Sequence, residues 1–233
     1  MKSLVYLVPT VLMEGRTECL PAYLADAVKN SAAFFVEDER TARRYLKLLW
    51  KEMVIDNYEW WNMKEISGET SGAFRRLLKA GKTVSIISEA GCPGIADPGQ
   101  QLVTIAQEMQ VVVKPLVGPN SILLALMASG MNGQHFEFLG YLPIEKTERT
   151  KAITAIENAS RQKKTTQIFI ETPYRNNHVM EALVKHCHPQ TRICVAVDLT
   201  GENEMVQTRT AVQWKNNLPE LHKRPAIFLI EAT

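Results

Sequence analysis

The sequence predicts an α/β protein of two lobes, with a mostly parallel sheet in the amino-terminal lobe and a mixed sheet in the carboxy-terminal lobe. In the first half of the chain, apolar β-branched runs alternate with helical runs, which is typical of βαβ units and a parallel sheet. Towards the end, strand-like runs follow one another closely, which favours a mixed sheet. At 233 residues and 45% hydrophobic composition, the chain has enough apolar side chains for one large core or two modest ones.

The amino-terminal lobe is predicted to span residues 1–116. Its strands are predicted at 4–8, 32–37, 83–88 and 110–116. Its helices are predicted at 18–30, 38–50, 67–81 and through 102–109, where apolar residues recur at helical spacing. Asp38 is positioned to cap the second of these helices, and Gly81 to end the third.

The carboxy-terminal lobe is predicted to span residues 117–233, after a linker "PLVGP" that is rich in proline and glycine. Its helices are predicted at 121–130, 147–160 and 175–187. Its strands are predicted at 136–143, 166–172, 192–200, 204–210 and 225–232. The last three strands are the closely spaced ones that indicate the mixed sheet.

Composition excludes several classes of protein. The net charge of +2, from 27 basic and 25 acidic residues, is too balanced to indicate nucleic-acid binding by charge alone. None of the four cysteines forms a CxxC pair, and the adjacent positions in "KHCHP" (185–189) do not suit convergence on one metal ion. Pro9 interrupts the apolar amino terminus, and no apolar run approaches the roughly 20 residues of a membrane span. These features predict a cytoplasmic protein that does not enter a membrane.

The stretch "SEAGCPGIADPG" (88–99) lies between a predicted buried strand and a predicted helix. Glycines at the carboxyl end of such a strand let the backbone approach a ligand closely, and ligands bind at that edge of open α/β sheets. Glu89 could accept hydrogen bonds from a ribose hydroxyl or an amine, and Asp97 could cap the helix that follows. A stiff loop with a purely structural role would have the same composition.

This stretch closely resembles the S-D-A-G-x-P-x-I-x-D-P-G signature of the tetrapyrrole (corrin/porphyrin) methylase superfamily. Other segments resemble, in chain order, motifs of the branch that contains the ribosomal small-subunit RNA 2′-O-methyltransferase I enzymes. They are "YLVPT" (6–10), "VEDERTARRYL" (36–46), "VVVKPLVGPNSILLALMASGM" (111–131), "FEFLGYLP" (136–143), "IFIETPYR" (168–175) and "AVDLT" (196–200). Because these matches cover nearly the whole chain, the chain is identified as a member of this superfamily.

The resemblance implies a two-lobed tetrapyrrole-methylase-like fold that holds S-adenosylmethionine between its lobes and forms a homodimer. It implies that the following residues bind the cofactor: Pro9, Glu89, Gly91, Ile95, Asp97, Ser121, Glu171, Tyr174, Ala226 and Ile227. Ser121 begins a predicted helix, where its hydroxyl and the free N–H groups could bind the cofactor carboxylate. Ser121 could equally be a helix cap and nothing more.

The departures from the branch fall in the segments expected to face the substrate. "YEWWNMKE" (58–65) replaces an H-D-H-N-E segment, "PTVLMEGRT" (9–17) replaces a P-I-G-N-L segment, and Glu89 stands where aspartate is usual. The sequence also predicts a chain that ends with the methylase core, without the extra carboxy-terminal segment common in the RNA enzymes. Retained cofactor motifs beside altered substrate motifs favour methyl transfer more than they favour the same RNA target.

Candidate catalytic residues are Glu37, Asp38 and Arg40, at a strand-to-helix junction, because a hydroxyl nucleophile needs a base or strong alignment. The alternative for these residues is a solvated helix amino terminus, where acidic side chains favour the dipole. Candidate substrate-binding residues are Arg175, which could instead brace Glu171, and the pair Trp60 and Trp61. These two aromatic residues, interpreted as lying in a loop, could stack on unpaired bases or belong to a core or a dimer interface.

The sequence thus predicts an S-adenosylmethionine-dependent methyltransferase similar to the ribosomal RNA branch, with ribosomal RNA or the small ribosomal subunit as its partner and no metal. Two alternatives remain at this point. One is methylation of a small molecule of the tetrapyrrole type. The other is a cofactor-binding relative without catalysis, which the loss of the H-D-H-N-E residues keeps open.

Overall fold

The computed structural model describes residues 3–232, so the outermost residues of the two predicted lobes (1, 2 and 233) lie outside it. The chain divides into two compact units, Met1–Asn120 and Ser121–Thr233, whereas the predicted boundary lay between residues 116 and 117. Each unit contains one five-stranded sheet with helices. Within the described residues, no helix is long and apolar enough to cross a membrane.

Unit 1 is built on a parallel sheet, which we call sheet A. Its strands are β1 (Leu4–Val8), β2 (Ala33–Val36), β3 (Glu59–Asn62), β4 (Thr83–Ile87) and β5 (Val112–Pro115). Its helices are α1 (Leu24–Lys29), α2 (Glu39–Leu49), α3 (Gly68–Lys79) and α4 (Gly99–Glu108). The strand order is β3-β2-β4-β1-β5, and every neighbouring pair is parallel. The predicted parallel sheet is confirmed.

Helices cover both faces of sheet A. The buried side chains of α1 and α2 pack with Phe34 and Val36 on one face, and those of α3 and α4 pack with Phe35 and Ile86 on the other. Because both faces are covered, the inner strand β2 is continuously apolar, and all four of its residues are buried. A capping side chain stabilises the start of α3, where Ser67 accepts a hydrogen bond from the Thr70 N–H.

The structure corrects two predictions in unit 1. Residues 58–65 contain a strand, because Trp60 and Trp61 lie on β3 and pair with Phe34 and Phe35 of β2. The loop interpretation of these two tryptophans was therefore wrong. The predicted helix at 18–30 is shorter, beginning at Leu24 after an isolated turn, because the proline at position 21 disfavours helical backbone in the residue before it.

Unit 2 is built on the predicted mixed sheet, which we call sheet B. Its strands are β6 (Phe136–Tyr141), β7 (Thr166–Ile170), β8 (Arg192–Val197), β9 (Met205–Thr210) and β10 (Ala226–Glu231). Its helices are α5 (Ser121–Ser129), α6 (Lys146–Lys163), α7 (Asn176–His186) and α8 (Ala211–Trp214). The order is β6-β7-β10-β8-β9, in which β6 and β7 are parallel and the other neighbours antiparallel.

The core of unit 2 lies between sheet B and helices α6 and α7. Phe169 and Phe228 are paired across β7 and β10, and their rings stack with centroids 5.6 Å apart. Helix α8 was not predicted because its four residues give too short a periodic pattern. It is formed by a capping box between Thr210 and Gln213. The buried Trp214 at its end donates to the Ile193 carbonyl at 2.9 Å.

Candidate functional site

The carboxyl ends of β2 and β4 form a topological switch point in sheet A. The chain leaves β2 to form β3 on one side, and it leaves β4 to form β5 towards the opposite edge. The two strands are neighbours, and Val36 pairs with Ile87 at their ends. Ligands of open α/β sheets bind outside the carboxyl ends of strands at such a point. Glu37 directly follows β2 and Glu89 is the second residue after β4, and the sequence singled out both.

Asp97 closes the loop between β4 and α4 upon itself. One of its carboxylate oxygens accepts from the Gly94 N–H at 2.8 Å and the other from the Gly99 N–H at 2.7 Å. Burial raises the pKa of Asp97 more than these two hydrogen bonds lower it. The loop also contains left-handed backbone at Gly91, with φ +72, and at Ala96, with φ 59. Both carboxylate oxygens of Asp97 are therefore engaged in holding the loop.

The end of β1 is bonded to this loop. The Thr10 N–H donates to the Gly91 carbonyl at 2.9 Å, and the Thr10 hydroxyl donates to the Ser88 carbonyl at 3.3 Å. The buried Tyr45 hydroxyl of α2 donates to the Pro9 carbonyl at 2.5 Å. These contacts fix Pro9 and Gly91, two residues implied to bind the cofactor, relative to one another. Thr10 and Tyr45 were not predicted as site residues from the sequence. The signal for Tyr45 was its position on the apolar face of α2, where a buried hydroxyl needs a hydrogen-bond partner.

Glu37 lies between the two strand ends. Its Oε1 accepts from the Glu89 N–H at 3.1 Å, and its carbonyl accepts from the Asn62 side chain at 3.0 Å. Burial raises the pKa of Glu37, the bond from Glu89 opposes that rise, and the negative charges of Asp97 and Glu89 add to it. A partly buried carboxyl with a raised pKa, beside other carboxylates at a sheet edge, has the properties of a proton acceptor.

The other two candidate catalytic residues lie differently. Asp38 caps α2 by accepting from the Thr41 N–H at 2.7 Å, and this bond lowers the pKa of Asp38. Arg40 is exposed on α2. Glu89 is also exposed, and the side chain of Ile95 is 47% exposed. Of the acidic residues that the sequence singled out in unit 1, Glu37, Glu89 and Asp97 are the ones that lie together at the carboxyl edge of sheet A.

In unit 2, Glu171 and Arg175 are paired where β7 leads into α7. The Glu171 side chain is 0% exposed, and its Oε1 accepts from Arg175 Nη2 at 2.5 Å and from Arg175 Nε at 3.0 Å. The Thr172 N–H also donates to this oxygen, at 2.6 Å. The other oxygen, Oε2, is buried without a hydrogen-bond partner among the described residues. Arg175 therefore braces Glu171.

Other predicted residues of unit 2 lie around this pair or apart from it. Ile227 is buried on β10 and pairs with Ile170, the last residue before Glu171, and Ala226 precedes it on the same strand. Tyr174 is 66% exposed and makes an edge-to-face contact with His222, with centroids 6.0 Å apart. Ser121 begins α5 and is half-buried.

The two tryptophans of β3 are partly buried by their own unit. Trp60 stacks on Phe34 with centroids 5.0 Å apart, and the Arg43 guanidinium lies 4.9 Å from its ring centroid. Trp61 stacks on Phe35 with centroids 6.4 Å apart. Both indole N–H groups donate within unit 1, Trp60 to the Ile55 carbonyl at 3.1 Å and Trp61 to the Glu59 carboxylate at 3.3 Å. Among the described residues, no group of His, Cys, Asp and Glu side chains is arranged to hold a metal ion.

The fold is that of known methyltransferases. The structure of the methyltransferase CobJ matches with a TM-score of 0.63 at 16% identity, covering 99% of this chain and 94% of that one. The structure of diphthine synthase matches with a TM-score of 0.67 at 12% identity, covering 99% of this chain and 90% of that one. Identities this low establish the fold alone.

The sequence comparison establishes the family. The profile of the Tetrapyrrole (Corrin/Porphyrin) Methylases matches residues 14–213, and the chain belongs to this family. The ribosomal RNA small subunit methyltransferase I of Bacillus subtilis is 33% identical over 89% of this chain and 63% of its own length. The protein of the same name from Rickettsia prowazekii is 30% identical over 94% of this chain and 75% of its own length. This chain thus spans less than two thirds of the Bacillus relative, and likewise 60% of the Halalkalibacterium halodurans relative.

Replacing Asp97 by alanine tests whether this carboxylate holds the loop. Asp97→Ala removes both acceptors for the N–H groups of Gly94 and Gly99, so the free energy of unfolding should fall by about 1–3 kcal/mol. Amide hydrogen exchange across residues 89–98 should accelerate as well. Urea unfolding and exchange mass spectrometry measure the two effects. Glu65→Ala, which removes an exposed carboxylate of the same unit, is the control, and equal effects of the two changes would contradict the assignment.

A double-mutant cycle tests the brace between Glu171 and Arg175. Arg175→Ala leaves a buried carboxylate without its partner and should cost about 3–5 kcal/mol of unfolding free energy. The double variant Glu171→Ala, Arg175→Ala should lose clearly less than the sum of the two single variants, because neither charge is then left alone. Urea unfolding of the four proteins gives the coupling energy. Additive losses would show that the two side chains act independently.

Proposed function

We propose that this protein is an S-adenosylmethionine-dependent methyltransferase that methylates ribosomal RNA of the small subunit, at a ribose 2′-hydroxyl. The observation that carries the proposal is the match along 89% of the chain to a ribosomal RNA small subunit methyltransferase I. The family profile over residues 14–213 supports the same class of reaction. The position of Glu37 and Glu89 at the switch point of sheet A supports a ligand site there.

The chemistry of the carboxyl edge of sheet A fits this cofactor. S-adenosylmethionine carries a positive sulfonium, an ammonium group and ribose hydroxyl donors, all of which favour carboxylate partners. Glu89 is exposed, whereas Asp97 is bonded through both oxygens to its own loop. We therefore assign Glu89 to direct binding and Asp97 to holding the loop in shape. In unit 2, we propose that the cofactor contacts Ser121 at the start of α5 and the backbone of Ala226 and Ile227.

Glu37 is the residue we assign to proton transfer. When bound, the cofactor supplies a methyl group whose bond to sulfur breaks as the bond to oxygen forms, leaving a neutral thioether. Glu37 takes the proton that the ribose hydroxyl loses, and its raised pKa strengthens it as a base. The Glu89 N–H bond to Oε1 holds the carboxylate in place. Asp38 keeps α2 in place as its cap, and alignment of the acceptor supplies the rest of the rate enhancement.

A homodimer is part of the proposal, as the family resemblance implies. Helix α5 is apolar between its two terminal serines and leaves Met127 79% exposed and Leu123 49% exposed, one turn apart. An exposed apolar face of this kind is typical of a protein–protein interface.

The first test is calorimetric titration with S-adenosylmethionine, followed by methyl transfer. The wild-type protein should bind the cofactor with a micromolar dissociation constant. Glu89→Gln should weaken binding about tenfold, since one charged partner is lost, while the control Glu65→Gln should not. Tritium from labelled cofactor should then enter the 16S RNA of small ribosomal subunits that lack the modification.

The other outcomes separate the alternatives. Methylation of a porphyrinogen in place of RNA would assign a small-molecule substrate. Cofactor binding with no methyl acceptor in a cell extract would indicate a binding protein without catalysis. Absence of cofactor binding, with and without ribosomal subunits present, would refute the proposal.

A second test concerns Glu37. Glu37→Gln keeps an acceptor for the Glu89 N–H and cannot take a proton, so kcat should fall about 10²- to 10⁴-fold with cofactor affinity little changed. The carboxylate is the active form and its pKa is raised above 4.5. Wild-type kcat/KM should therefore rise with pH through that raised value, and the variant should lose this acid limb. An acid limb that persists in Glu37→Gln would assign the base elsewhere.

A further inference from the structure

Helix α2 carries a row of basic side chains along the centre of its outer face. Arg40, Arg44 and Lys47 follow one another at spacings of four and three residues, which places them on one side of the helix. Lys51 follows two residues after the helix ends at Leu49, and its carbonyl accepts a hydrogen bond from Lys47 Nζ. All four are exposed. The buried residues of the helix, Ala42, Tyr45 and Leu46, lie on the opposite side. We call these four residues the α2 stripe.

The stripe is not neutralised by neighbouring carboxylates. Among the described residues, none of its four members forms an ion pair, whereas the neighbouring Arg43 pairs with Glu39 at 2.8 Å. Asp38 lies close enough to Arg40 to attract it, but the Asp38 carboxylate is bonded to the Thr41 N–H. The stripe therefore presents positive charge to solvent.

Helix stability does not account for this arrangement. Arg40 lies in the first turn, where the helix dipole disfavours a cation. Arg40 and Arg44 are like charges at the i,i+4 spacing, which destabilises a helix by roughly 0.2–0.5 kcal/mol. Only Lys47 has a structural role, since its Nζ donates to the carbonyls of Lys51 at 2.8 Å and Met53 at 2.6 Å beyond the end of the helix.

The stripe starts beside the candidate site. Helix α2 begins two residues after Glu37, at the carboxyl edge of sheet A, and its 11 residues extend about 16 Å along the helix axis. The stripe residues on the helix, Arg40, Arg44 and Lys47, are one turn apart, roughly 5–6 Å. This row of charges matches the repeating negative charge of a nucleic-acid backbone, and it leads to the edge where Glu37 and Glu89 lie.

We propose that the α2 stripe binds the phosphate backbone of single-stranded RNA and guides it to the carboxyl edge of sheet A. This inference rests on the proposed function, because it names the surface that holds the RNA substrate. Contacts to phosphates position a nucleic acid without reading its sequence. The stripe therefore supplies affinity and direction, and other residues select the nucleotide.

The test is binding of a fluorescein-labelled 12-nucleotide oligouridine RNA, followed by fluorescence anisotropy over a series of KCl concentrations. The stripe variant is Arg44→Gln, Lys51→Gln, which leaves Arg40 beside the site and Lys47 at the helix end unchanged. The control is Lys79→Gln, Lys114→Gln, which removes the same charge from exposed lysines of unit 1 that form no ion pair among the described residues. Urea unfolding confirms that both variants are folded, and calorimetry with S-adenosylmethionine is carried out on all three proteins.

The stripe variant should bind the RNA at least about tenfold more weakly than the wild type at 50 mM KCl, and its salt slope should be smaller by about 1–1.5. The control should bind like the wild type, and cofactor affinity should be the same in all three proteins. Equal RNA binding by the stripe variant and the wild type, an equal loss in the control, or no RNA binding by the wild type would each overturn the inference. If the protein binds RNA through the stripe but does not bind the cofactor, the inference about the stripe holds and the proposed methyl transfer is refuted.

Discussion

The geometry of the candidate site depends on the Asp97 carboxylate. The loop from β4 to α4 contains several glycines, which lose more conformational entropy on ordering than other residues do. Two short bonds from Asp97 tie the middle of the loop, at Gly94, to the first residue of α4, Gly99. A side chain at position 99 would lie only 2.8 Å from Asp97 Oδ1, so it would displace the carboxylate that closes the loop. With the loop closed, the carbonyl of Gly91 is available to Thr10.

A second set of hydrogen bonds connects this loop to the ends of the neighbouring strands. Thr10 ties the end of β1 to the loop, Tyr45 ties Pro9 to α2, and the Glu89 N–H ties the loop to Glu37 after β2. Three strand ends of sheet A are thus fixed relative to one another by hydrogen bonds, each of which includes a backbone group. The carboxylate of Glu89 is left exposed by this arrangement, and Glu37 is half-buried. Preorganisation of this kind lowers the cost of ordering a site when a ligand binds.

The sequence predicted the two sheets and all strands except β3, because most of these strands are apolar runs that alternate with helical patterns or follow one another closely. Strand β3 was missed since Glu59–Asn62 lies at the sheet edge, where two charged or polar residues flank two tryptophans. The motifs indicated the neighbourhood of the site. The motifs could not predict the different roles of Glu89 and Asp97, or of Glu37 and Asp38. Those roles depend on which carboxylates accept hydrogen bonds from backbone N–H groups.

The net charge of +2 conceals a separation of charge within unit 1. Carboxylates face the switch point of sheet A, where burial and the charges of Asp97 and Glu89 raise the pKa of Glu37. Cations follow the outer face of α2. These two surfaces suit ligands of opposite sign, a cationic methyl donor and an anionic polymer. A single sign of charge at the edge would repel one of the two reactants. Because α2 begins where β2 ends, the short segment Glu37–Arg40 joins the surface that we propose for the donor to the surface that we propose for the acceptor.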